Sequence, residues 1–170
     1  KESSEFVSSR PFFGHSIGGS LGATKPQMYE GVGHALKYMR RDRPIHLLGI
    51  GGPDDIWMNV EAGVDFFDCV SPTRLARHGC ALSRGLNNYK LNLLNARFRE
   101  DDSPVDEECD CYTCLNFSRA YLHYLFKAQE LQGLHLITVH NMRFMTRLMK
   151  TIREAIREDR FAEAKREWMN

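Results

Sequence analysis

The chain has no long apolar run. Nowhere in its 170 residues does a hydrophobic stretch approach the ~20 residues that a membrane-spanning helix needs, so no such span is expected. The first ten residues are polar, open on Lys1 rather than Met, and lack the basic, apolar, small-residue pattern of an export signal. Lys1 is not taken as the natural start. An excess of one charge is missing too. Lys and Arg number 23 against 22 Asp and Glu, a net charge of +1, which is short of the balance of a dedicated nucleic-acid binder. Contact with RNA must then come from local clusters rather than from the field of the whole molecule. There is no internal repeat and no low-complexity tract. A dispersed, even-numbered cysteine set is also absent. Of five cysteines, three crowd together as Cys109, Cys111 and Cys114. That argues against a disulfide scaffold and for a reducing compartment and a metal.

What is present is an ordinary globular composition, 42% hydrophobic and 26% charged, enough for a real core. Residues 12–17 read as a short apolar strand ending at Gly18-Gly19. Met28, Val32, Leu36 and Met39 recur at helical spacing and predict a helix over 25–39. Residues 45–50 read as a second strand. Pro53, with Asp54 and Asp55 behind it, starts a helix that stops near Gly63, and 64–70 reads as a third strand. Strand, helix, strand, helix, strand, with short and uniformly apolar strands, predicts a parallel sheet buried on both faces, in an α/β layer or a (β/α) barrel. Residues 71–114 are polar and turn-rich. A helix over 116–131, an apolar run over 134–139 and an amphipathic helix over 141–156 follow.

Cys109, Cys111 and Cys114 place three soft ligands within six residues, and His140 follows after 25 more. Three thiolates and one imidazole make a closed tetrahedral set, which structural zinc prefers. Such a set holds structure and leaves no open position for chemistry. His123 and His135 are the alternatives to His140, and Cys69 and Cys80 read as packing residues. Asp65 and Asp68 lie in an apolar strand, where a carboxylate is costly unless paired or functional. Asp68 is at the C-terminal end, which faces the active site in barrels and open α/β sheets. The pattern alone leaves catalytic and structural roles for it side by side. Asp65 reads as structural. Arg74 and Arg77 suit phosphate binding, or are simply solvated loop charges.

These residues match a known family. Phe67-Asp68-Cys69-Val70-Ser71-Pro72-Thr73-Arg74-Leu75-Ala76-Arg77-His78-Gly79 resembles the nucleophile segment of the tRNA-guanine transglycosylases. Cys109-Asp110-Cys111-Tyr112-Thr113-Cys114 with His140-Asn141 resembles their zinc site. Ser118-Arg119-Ala120-Tyr121-Leu122-His123 and Asn92-Leu93-Leu94-Asn95-Ala96-Arg97 also fit. Ile17-Gly18-Gly19 resembles the base-binding glycine turn, and Leu48-Gly49-Ile50-Gly51 the next strand end.

The resemblance implies an α/β fold: the C-terminal part of a (β/α)8 TIM barrel, its last three strands, with an inserted zinc-binding subdomain. Residues 1–73 would carry the nucleophile strand, 74–140 the zinc subdomain, and 141–170 C-terminal helices packing on the barrel. It implies exchange of guanine at the anticodon wobble position for a 7-deazaguanine, in queuosine biosynthesis, through a covalent aspartyl-ribose intermediate. Asp68 would be the nucleophile, Gly18 and Gly19 would bind the base, and Thr73, Arg74 and Arg77 would grip the anticodon loop. Cys109, Cys111, Cys114 and His140 would hold one structural zinc ion. The expected partners are tRNAs with G-U-N anticodons (Asp, Asn, His, Tyr) and a second copy in a cytoplasmic homodimer. Phe117, Tyr121 and Tyr124, spaced as one helix face, are the candidate interface. Gly22, where many members carry a larger residue, implies a roomier base pocket. The family's general base lies in barrel strands outside this sequence, so the chain by itself is expected to be inactive. The rival expectations are a non-catalytic partner subunit of the same family and a zinc-containing RNA-binding module.

Overall fold

A computed structural model describes residues 1–19 and 21–169. The chain divides into two compact units, Lys1–Val70 and Ser71–Asn170. The expected segment boundaries after residues 73 and 140 both fall inside helices, α4 and α7 below.

In the first unit, α1 (Glu2–Ser8) precedes β1 (His15–Ile17), α2 (Lys25–Leu36), β2 (Ile45–Leu48), α3 (Pro53–Ala62) and β3 (Phe66–Asp68). The strands form one parallel sheet in the order β1-β2-β3. Its register pairs His15 with Ile45, Ile17 with Leu47, and Leu48 with Asp68. Helix α2 starts where the Thr24 hydroxyl accepts from the Gln27 amide and the Gln27 side chain accepts from the Thr24 amide, a reciprocal cap behind Pro26. It stops at Leu36, short of the expected end. Beyond it the chain tightens into a turn that still buries Met39.

Successive strand residues point to opposite faces of a sheet, and burial here alternates accordingly. Ile17, Ile45 and Leu47 pack under Met28, Val32 and Leu36. Full burial of each such side chain contributes about 1.5–3 kcal/mol. The other face carries Ser16, His46, Leu48, Phe66 and Asp68 and stays open, with Phe66 58% exposed. The sheet is therefore covered on one face, not on both as its apolar strands had suggested. Asp65 is structural: its carboxylate accepts from the Ile45 amide at 2.8 Å.

The second unit comprises α4 (Ser71–Arg77), β4 (Cys80–Leu82), β5 (Lys90–Asn92), α5 (Tyr112–Asn116), α6 (Arg119–Lys127), α7 (Leu131–Arg157) and α8 (Phe161–Met169). Strands β4 and β5 form an antiparallel pair. The expected apolar run and following helix are one 27-residue helix, α7. Leu136, Ile137, His140, Asn141, Phe144, Leu148, Ile152 and Ala155 make its buried stripe at helical spacing. The stretch 134–139 reads as an apolar run because Leu136 and Ile137 are both fully enclosed in a core shared with Leu122, Leu125 and the three cysteines. Asn141, itself fully buried, ties the unit together. Its Oδ1 accepts from the Leu82 amide at 2.8 Å, and its Nδ2 donates to the carbonyls of Pro72 (2.9 Å) and Cys80 (3.1 Å).

Candidate functional site

The second unit brings Cys109, Cys111, Cys114 and His140 together. Their ligand atoms all lie within 4.8 Å of one another, and none of the four residues is more than 9% exposed. Cys111 caps α5, its sulfur accepting from the Cys114 amide, so the short helix fixes the spacing of two ligands. His140 enters from α7. Its Nε2 sits 2.8 Å from the Leu82 carbonyl, which can only accept, so Nε2 carries the proton. Nδ1 is left facing the sulfurs of Cys114 at 3.2 Å and Cys111 at 3.7 Å. An outer hydrogen bond that fixes tautomer and ring orientation is the usual companion of a metal-bound imidazole. The other two histidines do not join the cluster: His123 donates from Nδ1 to the Leu93 carbonyl at 2.7 Å, and His135 is absent from it, as are Cys69 and Cys80.

The cluster gathers four ionisable groups in one small buried space, and each perturbs the others. A hydrogen bond from Cys114, aided by His140, pulls the Cys111 thiol down to about 3, and the same contact and burial push Cys114 up. Burial works to lower His140, but hydrogen bonds to Cys109 and Cys111 prevail and hold it at about 9. Three thiolates, a neutral imidazole and a divalent ion sum to −1, and two arginines stand by. Arg143 donates twice to Asp110, between two of the ligands, at 2.6 Å each. Arg147 pairs with Asp106 at 3.0 Å. These four residues are thus a candidate metal-binding site, closed and buried.

The first unit holds the strand-end acid. The Asp68 side chain, 59% exposed, meets His46 Nε2 through Oδ1 at 3.0 Å. Both border a cleft of about 470 Å³ lined also by Phe13, Ser16 and Phe66. Gly18 and Gly19 follow β1 directly. Gly19 has φ +93 with nothing within 4 Å of where a Cβ would be, an open left-handed position that glycine fills without strain. Gly22 also has φ +93, and a Cβ there would lie 2.7 Å from that of Gln27. Local backbone and the α2 cap are reason enough for glycine at that position.

Thr73, Arg74 and Arg77 belong to α4, not to a loop. Arg74 and Arg77 are exposed, one turn apart. Phe117 is extended backbone between α5 and α6 rather than part of one helix face. Its ring still stacks on Tyr121 at 5.3 Å, and Tyr121 on Tyr124 at 6.4 Å, with both tyrosines exposed. Sequence reasoning had assigned no role to His46 or Asn141. His46 carried a usable signal, since it alternates onto the sheet face of Asp68.

A parallel α/β layer with an acid at a strand end, and a second unit built around a Cys3His cluster, define an α/β protein with a candidate metal-binding site. The family model for queuine tRNA-ribosyltransferase matches residues 1–170. The chain is 51% identical over 170 residues to the queuine tRNA-ribosyltransferase of Roseiflexus sp., covering 99% of this chain and 42% of that protein. It is 48% identical to those of Thermoanaerobacter pseudethanolicus (99% and 44%) and Staphylococcus haemolyticus (92% and 41%). The chain therefore belongs to the queuine tRNA-ribosyltransferase family, a family of glycosyltransferases. It spans less than half the length of these relatives. Among the described residues, no helix is long and apolar enough to cross a membrane.

Proposed function

We propose that the polypeptide carrying this chain is a tRNA-guanine transglycosylase with Asp68 as its nucleophile. The observation that carries the reading is the Asp68 carboxylate, exposed at the C-terminal end of β3 beside a cleft, in a chain matched along its whole length by the family. One carboxylate oxygen attacks C1′ of the wobble ribose. The C1′–N9 bond breaks, its electron pair leaves with guanine, and guanine takes up a proton. In the second step N9 of a 7-deazaguanine attacks C1′, the ester bond breaks, the carboxylate is restored and the N9 proton is released. The two protons cancel. On this reading the acid–base group that handles them is supplied by the rest of the polypeptide, and the chain by itself is expected to be inactive.

The open sheet face supports a barrel reading. Parallel sheets are ordinarily covered on both faces, and Phe66 and Leu48 are exposed here, as expected of the last three strands of a (β/α)8 barrel completed by other strands. Gly18 and Gly19 would let the base approach the backbone closely. Thr73, Arg74 and Arg77 would hold the anticodon loop of G-U-N tRNAs, where a single-stranded base leaves its stack at low cost. Zinc is the metal that best suits three thiolates and an imidazole, and its part is to hold the second unit folded. The stacked, exposed Tyr121 and Tyr124 beside Phe117 suit the interface of a homodimer. Work on tRNA implies a cytoplasmic enzyme.

The test is guanine exchange into tRNA by the full-length protein. Asp68→Ala and Asp68→Asn are expected to abolish both exchange and the covalent protein–RNA adduct seen on denaturing gels. Exchange by either variant at the wild-type rate overturns the reading.

A further inference from the structure

The nucleophile has a neighbour with no role in the reading above. The β2–β3 register pairs Leu48 with Asp68 and His46 with Phe66, so His46 and Asp68 are diagonal neighbours on the open face. Their side chains meet at 3.0 Å between Nε2 and Oδ1. A carboxylate accepts, so the imidazole N–H donates. The other titratable residue lining that cleft is His15 on β1. Asp65, on the chain leading into β3, is engaged with the Ile45 amide. One carboxylate oxygen of Asp68 is therefore occupied by the His46 donor, and Oδ2 is left for chemistry.

We infer that His46 is a positioning residue that shortens the life of the covalent intermediate by holding Oδ1 of Asp68. The inference rests on the reading of Asp68 as nucleophile. Before attack, Oδ1 shares a full negative charge and its hydrogen bond is charge-assisted. Once Oδ2 bonds to C1′, Oδ1 is a neutral ester carbonyl oxygen and the same bond weakens. In the second step the C1′–Oδ2 bond breaks, its electron pair returns to the carboxylate, and charge reappears on Oδ1 against a donor already in place. His46 thus favours carboxylate over ester. It slows attack modestly and speeds release of the product RNA, so the enzyme does not stall as an adduct.

The experiment uses the full-length protein with tRNA. Adduct is captured on a denaturing gel and its decay followed after a chase with free guanine. His46→Leu removes the donor. His46→Asn moves it to where Nδ1 was, and His46→Gln keeps an amide N–H near the former Nε2. Adduct decay is expected to slow about tenfold in the Leu and Asn variants, the low end for a hydrogen bond to a charged group. In the Gln variant it should return close to wild type. Equal decay in all three variants overturns the inference, as does a Leu variant that forms no adduct, because His46 would then serve attack rather than release. Asp68→Asn separates the two levels. If it still forms adduct, the nucleophile reading itself fails. If it forms none while His46→Leu decays normally, only the role of His46 falls.

Discussion

The two units solve the same problem in opposite ways. Lys1–Val70 is held by an apolar layer, with Ile45 and Leu47 under Val32 and Leu36, and leaves one side of its sheet in solvent. Ser71–Asn170 also has an apolar cluster, but joins distant segments by buried polar atoms: the three hydrogen bonds of Asn141, the imidazole of His140 and three sulfurs. A sheet can be locally stable with one face uncovered, because the apolar layer on its other face already holds it. The second unit carries all four candidate ligands within itself.

The strongest challenge to this contrast is metal removal. In small zinc modules the ion is worth ~10–16 kcal/mol, more than any single side chain here. A chelator, or Cys111→Ser, is expected to raise hydrogen exchange through α5 and the first half of α7 while the amides of β2 keep their protection. Simultaneous loss of protection in both units would show that they fold as one. The reciprocal change is Leu47→Ala. It should cost about 2–5 kcal/mol in denaturant titrations without altering metal content by elemental analysis. Loss of metal in that variant would again erase the distinction. The smallest effect sharpens the picture within the second unit. Burial works to raise Asp101, but hydrogen bonds from Ser103 and Arg119 hold its carboxyl below the usual range. A depressed folded value gives stability that is present above the ordinary carboxylate range and lost as pH falls through the depressed value. Asp101→Asn should therefore cost under ~1 kcal/mol at neutral pH, given that the pair is partly exposed, and nothing in strong acid. A stability difference that persists at low pH would point to packing instead.

Much of this was legible in the chain itself, for definite reasons. The cysteine spacing names its ligands because soft donors so close together have few other uses. The strand ends at Gly18-Gly19 and Asp68 stand out because a glycine pair closes one apolar run and an acid sits at the C-terminal end of another. Helix α4 and the β4–β5 pair were not legible. They are short, and their burial is set by α7, which lies far along the chain. The role of Asn141 was hidden for the same reason: its partners lie 59 to 69 positions away. The open face of the sheet was missed because apolar strands look alike whether one side or both are covered.

The imidazole of His140 has one further consequence. A cysteine in its place would complete a four-sulfur set that a metal ion accepts equally well, so coordination alone does not explain the histidine. The carbonyl of Leu82 does. It needs a proton donor at depth, and only a ring with a second nitrogen can grip an ion with one hand and a strand with the other. Residue choice at this corner is dictated by the backbone of a neighbouring hairpin as much as by the ion, and a redesign that counts only donor atoms would strand an oxygen in the core.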